Sequence, residues 1–401
     1  MNHVFLSLVF LTNKFSFCKD KEFQFDIIQN SICIMLNRKL ALVCLTVIFI
    51  SNILGGCNFV DKSKLNSPDF YFKNATTLKG KHLKEKYMTP YSFKCFYSDK
   101  GFIGSMPLPD NNIVHLANLQ SGTIINSTLH KGRGSGEILT SIPHIDFFNN
   151  KLYVCDIVTN KIKRISIDHS CLSIEDYSII KYNTPTITAG MKAVSDSVYA
   201  IFGYSRSSHS ILLADISGSI IDSLPYKILN DKKIDNSKVG TFYVSMGLSP
   251  DRKYLYVCNK TYNHVRKYNI SDNSISFSKE YFLTKPKYKI NTGQPVQTGD
   301  NMVFWGEIFI GEKYVYLVAN PEYRRDFERR REEAGSTGKK YTALPDSDSY
   351  ILVFDYDMNL LKSYLCDGHF TWIALTPDPS VIYAADDINH CLKEYTLTNL
   401  F

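Results

Sequence analysis

The 401-residue sequence predicts an all-β protein, a six-bladed β-propeller carried behind a short N-terminal leader. Three observations lead there. Tyr (26) and Phe (25) are abundant while Gly and Pro punctuate the chain, which favours many short pleated strands over helices. One strand–turn–strand pattern recurs along the chain with its offsets intact. The N-terminal region holds a basic segment and a short apolar run that ends in small residues.

The leader comes first in chain order. Met35-Leu-Asn-Arg-Lys39 is basic, Leu40 to Leu54 is apolar, and Leu54-Gly55-Gly56-Cys57 follows. A helix needs about 20 residues to cross a bilayer, and this run is shorter. It reads as a secretion signal; a signal-anchor helix is the other reading. Leu54, Gly55, Gly56 and Cys57 resemble the lipobox of bacterial lipoproteins at all four positions. The resemblance implies cleavage after Gly56 and acylation of Cys57, so that the lipid anchor makes the membrane a partner. Asn58 is not the aspartate associated with inner-membrane retention, which points to the outer membrane. The domain expectation is therefore a start-site extension over 1–34, a lipoprotein signal peptide over 35–56, a tether over 57–68 and a propeller over 69–401.

The repeat follows. Tyr153-Val154-Cys155-Asp156 is succeeded by Asn160, Ile162, Ile165 and Ile167. Tyr256-Val257-Cys258-Asn259 is succeeded, without a gap, by Asn263, Val265, Tyr268 and Ile270. Tyr383-Ala384-Ala385-Asp386 leads in the same way to His390, Leu392, Tyr395 and Leu397. Each copy is a strand, a polar turn and a second strand of period two. Val198 to Tyr204 and Tyr314 to Asn320 are looser copies. Tyr153, Tyr199, Tyr256, Tyr316 and Tyr383 lie 46 to 67 residues apart, the length of a four-stranded blade with its loops. With the segment from Tyr91 to His130 they make six blades. The last copy leaves no room for a fourth strand, so a strand near Phe70 to Leu78 is expected to complete that sheet and close the ring.

Gly132, Gly134, Gly136 and Glu137 could suggest a phosphate loop, but Pro143 and the β-branched run after Gly136 do not continue as the helix such a loop requires. These residues, with Pro143, Tyr153-Val154-x-Asp156 and Asn160-x-Ile162, resemble one NHL-type propeller repeat. Together with the lipobox, the chain from Cys57 onward resembles the TolB-like six-bladed propeller lipoproteins of Gram-negative bacteria. Ser135 stands where that repeat usually has proline, and Ile138 where it has an aromatic residue.

Candidate sites are few. Asp156, Asn259 and Asp386 share one repeat position. They suit either a polar ring at a channel mouth, binding a cation or a sugar, or turn caps, the commoner use of such residues. His144 and Asp146 are two apart on one strand face and, with Arg133 and Glu137, suggest an ionic cluster at the same mouth. Cys155 and Cys258 fill one strand slot as small hydrophobes. Cys95, Cys171, Cys366 and Cys391 have open disulfide status, and the last two could pair. Trp305 and Trp372 each precede their blade's Tyr by 11 residues, which suggests inner-strand packing near the channel. Residues 321–349 break the repeat. Arg324, Arg325, Arg329, Arg330 and Arg331 alternate there with acids, and Arg324/Glu328 and Arg329/Glu333 are spaced for a short exposed helix, which suits either a solvated insertion or a basic face for anionic lipid headgroups or an acidic partner.

No spacing marks a metal site, a cofactor or a nucleophile with its base, and the formal net charge of +7 is mild for this length, so no nucleic-acid partner is expected. The functional expectation is a lipid-anchored cell-envelope scaffold that binds a protein or glycan. The alternative is a propeller lyase or hydrolase acting on an envelope or imported glycan.

Overall fold

The computed structural model describes residues 67–83, 94–99, 101–105, 111–118, 123–134, 136–140, 143–168, 171–182, 186–205, 209–227, 229, 232–235, 244–271, 273–337, 347–386, 389 and 391–400. Leu54, Gly55, Gly56 and Cys57 lie outside them. The described chain opens with a helical turn, α1 (Pro68–Phe72), and two short strands, β1 (Thr76–Leu78) and β2 (Lys81–Leu83).

Six sheets follow. Blade 1 is β3 (Lys94–Ser98), β4 (Gly101–Ser105), β5 (Asn112–Ala117) and β6 (Ile124–His130). Blade 2 is β7 (His144–Phe148), β8 (Lys151–Asp156), β9 (Lys161–Asp168) and β10 (Cys171–Ile179). Blade 3 is β11 (Ile187–Ala193), β12 (Val198–Tyr204), β13 (His209–Asp215) and β14 (Ile220–Pro225). Blade 4 is β15 (Val244–Leu248), β16 (Tyr254–Asn259), β17 (His264–Ser271) and β18 (Ser274–Phe282), after which comes a separate hairpin, β19 (Tyr288–Asn291) with β20 (Gln294–Gln297). Blade 5 has a broken first strand, β21 (Met302–Trp305) and β22 (Ile308–Ile310), both paired with a long β23 (Val315–Tyr323). Helix α2 (Arg324–Thr337) leads on towards β24 (Tyr350–Phe354) and β25 (Leu360–Cys366). Blade 6 is β26 (Ile373–Leu375), β27 (Val381–Asp386) and β28 (Cys391–Thr396).

The ring closes as the truncated last repeat requires, but not with the expected strand. Phe70 to Phe72 are helical, and β1 lies parallel to β25 at the edge of blade 5. It is β2 that completes blade 6, antiparallel to β28. Lys81-His82-Leu83 has too little apolar periodicity to announce itself.

Six apolar clusters hold the ring, one between each pair of neighbouring blades. Strand alternation divides each second strand between two of them. Leu152 and Val154 face blade 1, while Tyr153 and Cys155 face blade 3. The same rule sends Tyr256, Tyr316 and Tyr383 towards the next blade. Tyr199 breaks it. It faces backward, and its ring meets that of Tyr153 at 6.0 Å. The looser copy in blade 3 is therefore shifted by one residue, which strands buried on both faces tolerate without any change in apolar content.

Antiparallel order sets the geometry of the disc. Turns between second and third strands share one end, here the upper end, with the connectors between blades. Turns between first and second strands lie at the lower end. The Gly132–Glu137 connector is closed by its own side chain: Gly134 N–H donates to the Glu137 carboxylate at 2.6 Å. A Cβ on Gly132 would meet that carboxylate at 2.0 Å, so glycine there makes room for the glutamate. No helix among the described residues is long and apolar enough to cross a membrane.

Candidate functional site

All six first strands line one central cavity of about 180 Å³. Its walls include Phe96 of blade 1, Asp146 of blade 2, Lys192 of blade 3, Gly247 of blade 4, Phe309 of blade 5 and Trp372, which leads into blade 6. Towards the lower end an ion triad crosses it. Asp146 accepts from Lys192 Nζ at 3.0 Å, from the Ala193 amide at 3.0 Å and from Arg252 at 3.2 Å. Arg252 leaves the first turn of blade 4 in a left-handed conformation (φ 59°) and also donates to the Ala193 and Phe147 carbonyls. Blades 2, 3 and 4 are thus tied at one place.

A second group lies towards the upper end. Lys94 opens β3, His144 opens β7, Lys260 follows β16 and Glu307 sits in the break of blade 5. Lys260 pairs with Glu307 at 2.5 Å. Burial pushes the Glu307 carboxyl up, but Lys260 and Lys94 outweigh that and hold it below its ordinary value. Lys94 has no carboxylate within ion-pair distance among the described residues, and its ammonium donates to the Pro143 carbonyl at 2.9 Å. Burial, and then the repulsion of Lys260 and Lys192, lower it to about 8 against the pull of Glu307. His144 is held down to about 3 by burial and then by Lys94, Lys192 and Lys260. Trp372 donates its indole N–H to the Cys95 carbonyl at 2.7 Å, with Lys94 and Lys192 at 5.5 and 5.9 Å from its ring. The cavity has aromatic walls and is lined by Lys192, Arg252 and Asp146, with Lys94 beside Trp372.

The residues expected at the mouth separate into individual jobs. Asp156 caps its turn through Val158 N–H and Thr159 Oγ1, and holds the preceding connector through Leu139 and Thr140 N–H. Arg133 and Glu137 join it around a separate hollow of about 70 Å³. Asn259 accepts from Tyr262 N–H, and Asp386 accepts from Asn389 and pairs with Lys393 at 3.0 Å. The three share an end of the disc, each closing its own turn. Asp146 lines the central cavity instead, and His144 lies near Lys94, Lys192 and Lys260.

The six cysteines of blades 1, 2, 4, 5 and 6 are free thiols, including Cys366 and Cys391. Burial lifts Cys155 and Cys258 to about 12. Among the described residues no group of three or more His, Cys, Asp or Glu could hold a metal ion.

The repeat asparagines have a role that spacing did not reveal. Asn160 and Asn263 both adopt positive φ and reach into the next blade. Asn263 donates to Met302 O at 2.7 Å and Thr284 Oγ1 at 2.8 Å, and accepts from Phe304 N–H at 2.9 Å. Asn160 accepts from Thr188 and donates to Thr186 O. The channel cations were missed too: Lys94 and Lys192 lie in first strands, but Lys260 and Arg252 lie in turns.

The interruption at 321–349 builds a platform at the upper end. Helix α2 starts on bonds from Arg324 N–H to Asn301 O and from Arg325 N–H to Gly299 O, beside the exit of the β19–β20 hairpin. Phe327 packs on Trp305 at 5.3 Å. Trp305 therefore supports α2, while Trp372 lines the channel. Arg324 bonds Glu328 at 2.9 Å, as its spacing predicted, and Arg330 clamps Glu322 with two bonds. Arg325, Arg329 and Arg331 are the exposed arginines of α2.

A family model described as TolB-like 6-blade propeller-like matches residues 70–376. No curated protein matches the chain. Among solved structures, a Bacteroides fragilis protein is similar at 11% identity and TM-score 0.48, over 82% of this chain and 97% of that one. The calcium-binding protein regucalcin of Agrobacterium tumefaciens is similar at 11% identity and TM-score 0.45, over 80% and 95%. BamB of Moraxella catarrhalis is similar at 9% identity and TM-score 0.38, over 80% and 99%. At these identities the likenesses concern the fold alone. With its six closed blades and a family match over most of its length, the chain belongs to the TolB-like 6-blade propeller-like family.

Proposed function

We propose that this propeller is a lipid-anchored scaffold of the cell envelope, held at the outer membrane through Cys57, whose upper end binds a protein partner. The platform carries the reading. Its helix, its hairpin and the turn of blade 4 are pinned together: the Tyr262 hydroxyl donates to Pro295 O at 3.3 Å, and Tyr262 packs against Tyr288. Arg325, Arg329 and Arg331 remain exposed above it. A pinned, raised surface with exposed arginines, Arg325 and Arg329 held by Asp326, favours partner recognition, since preorganised side chains lose little freedom on binding. Residues 35–56 serve in this reading as the signal peptide and 57–68 as the tether.

The test is cross-linking in a Gram-negative host with the full-length chain and its triple variant Arg325→Glu, Arg329→Glu, Arg331→Glu. The expected result is one envelope protein captured by the natural chain and reduced by about tenfold in the variant. Cys57→Ser should leave the membrane fraction. Cross-links matching bulk envelope proteins in both chains would overturn the partner reading, and membrane retention of Cys57→Ser would overturn the anchor.

A further inference from the structure

Among the described residues, the centre of the ring carries charge that its own side chains do not balance. Lys94, Lys192, Lys260 and Arg252 face Asp146 and Glu307, with His144 held neutral beside them. Asp146 serves both Lys192 and Arg252, and Glu307 serves Lys260. Among the described residues two positive charges remain in excess, and Lys94 is left with a carbonyl. Removing such charge from water is costly unless a counter-charge comes with it, and a narrow low-dielectric channel lined by one sign focuses its field on an entering ion. The aromatic and aliphatic walls from Phe96, Phe147, Phe309, Trp372 and Leu375 offer the adjoining space an apolar lining.

We propose that the centre of the channel is a binding site for a small organic anion, its carboxylate or phosphate held by Lys192 in the cavity lining and by Lys94, which lie 5.9 and 5.5 Å from the Trp372 ring, and its body against Trp372, Phe96 and Phe309. The cavity of about 180 Å³ limits that body to a single ring or a short chain. Glu307 and Asp146 each neutralise neighbouring cations, which leaves Lys94 as the group that answers the ligand. This site is separate from the platform, so either assignment can fail alone.

The experiment uses the purified full-length protein and three probes, inorganic phosphate, acetate and benzoate, each against chloride at matched ionic strength. Tryptophan fluorescence and thermal unfolding are followed together. The expected result is a saturable fluorescence change with at least one probe and a rise of about 2–4 °C in Tm near saturation. Binding requires charged Lys94, so affinity should fall about tenfold from pH 7 to pH 9 as Lys94 loses its proton. Lys94→Met should weaken binding at least about tenfold while leaving the free protein as stable or more so, because an unbalanced charge has been removed. Lys94→Arg should bind with no fall at pH 9. Absence of any saturable response would overturn the site, as would a response that Lys94→Met retains or a pH profile that Lys94→Arg shares with the natural chain. Should Lys94→Met not fold, the Lys94→Arg profile decides.

Discussion

Blade 4 and blade 5 carry the same interface chemistry on very different frames. Blade 4 is regular, with four consecutive strands and a short turn from Asn259 to Asn263. Blade 5 has its first strand broken at Gly306, where a Cβ would meet the Val318 carbonyl at 1.8 Å, and a helix where blade 4 has that turn. Yet each blade has an asparagine, Asn263 in the turn after the second strand of blade 4 and Asn320 late in the second strand of blade 5, that clips the structure beyond it. Asn263 holds Met302 and Phe304. Asn320 donates to the Trp305 carbonyl at 2.8 Å and to the Phe370 carbonyl at 3.0 Å, and accepts from Ser349. The departures in blade 5 lie at the upper end and leave its interface cores intact. Ring closure thus constrains the interfaces, while one end of the disc is free to vary.

The strongest way to break this comparison is to remove a clip from the regular blade. Asn263 is buried, and Asn263→Ala leaves the Met302 carbonyl and Phe304 amide without partners. The expected loss is about 2–4 kcal/mol, read as a lower urea midpoint in one cooperative transition. A loss under about 1 kcal/mol would mean that the asparagine is only a turn residue.

Phe327→Ala strikes the variable frame instead. Phe327 and Trp305, with Val303, form a small satellite core outside the six interfaces. The expected global loss is about 1–2 kcal/mol, below the usual range for a buried phenylalanine because the site sits at an edge. Hydrogen exchange should show α2 losing protection while β16 and β17 keep theirs. Equal loss in the blades would make α2 part of the ring rather than an addition to it.

What was legible in the sequence follows the same division. Blades 2, 4 and 6 were readable because period-two strands and fixed turns repeat without gaps. Arg324 and Glu328 were readable because helical neighbours are local. Tyr199 was misread because Val198 to Phe202 is apolar at every position, and both faces of a blade strand are buried. The closing strand was misplaced because its identity depends on a partner about 310 residues away, Lys393 opposite His82. The cationic channel was invisible for a related reason. Lys94, Lys192 and Lys260 have no common spacing, and only ring closure brings three blades' side chains to one axis.

The smallest expected effect tests whether ionic groups divide in the same way. In blade 4, Glu280 lies 2.7 Å from His264 Nε2 and 2.9 Å from Arg266, with its side chain 24% exposed. The His264 hydrogen bond, followed by Arg266, outweighs burial and lowers Glu280 from 4.5 to about 2. A depressed carboxyl contributes stability above its unfolded value and loses it as pH falls towards its folded value. The window is therefore pH 4.5 down to about 2. After allowance for solvent screening the contribution is about 1 kcal/mol. Glu280→Gln should lose that much at pH 7 and match the natural chain near pH 2, as measured by urea unfolding across the range. The exposed Arg324–Glu328 pair of α2 should give no more than about 0.5 kcal/mol and fade with salt. If the two pairs respond alike to pH and salt, the half-buried edge of a regular blade holds its charges no more firmly than the appended helix does.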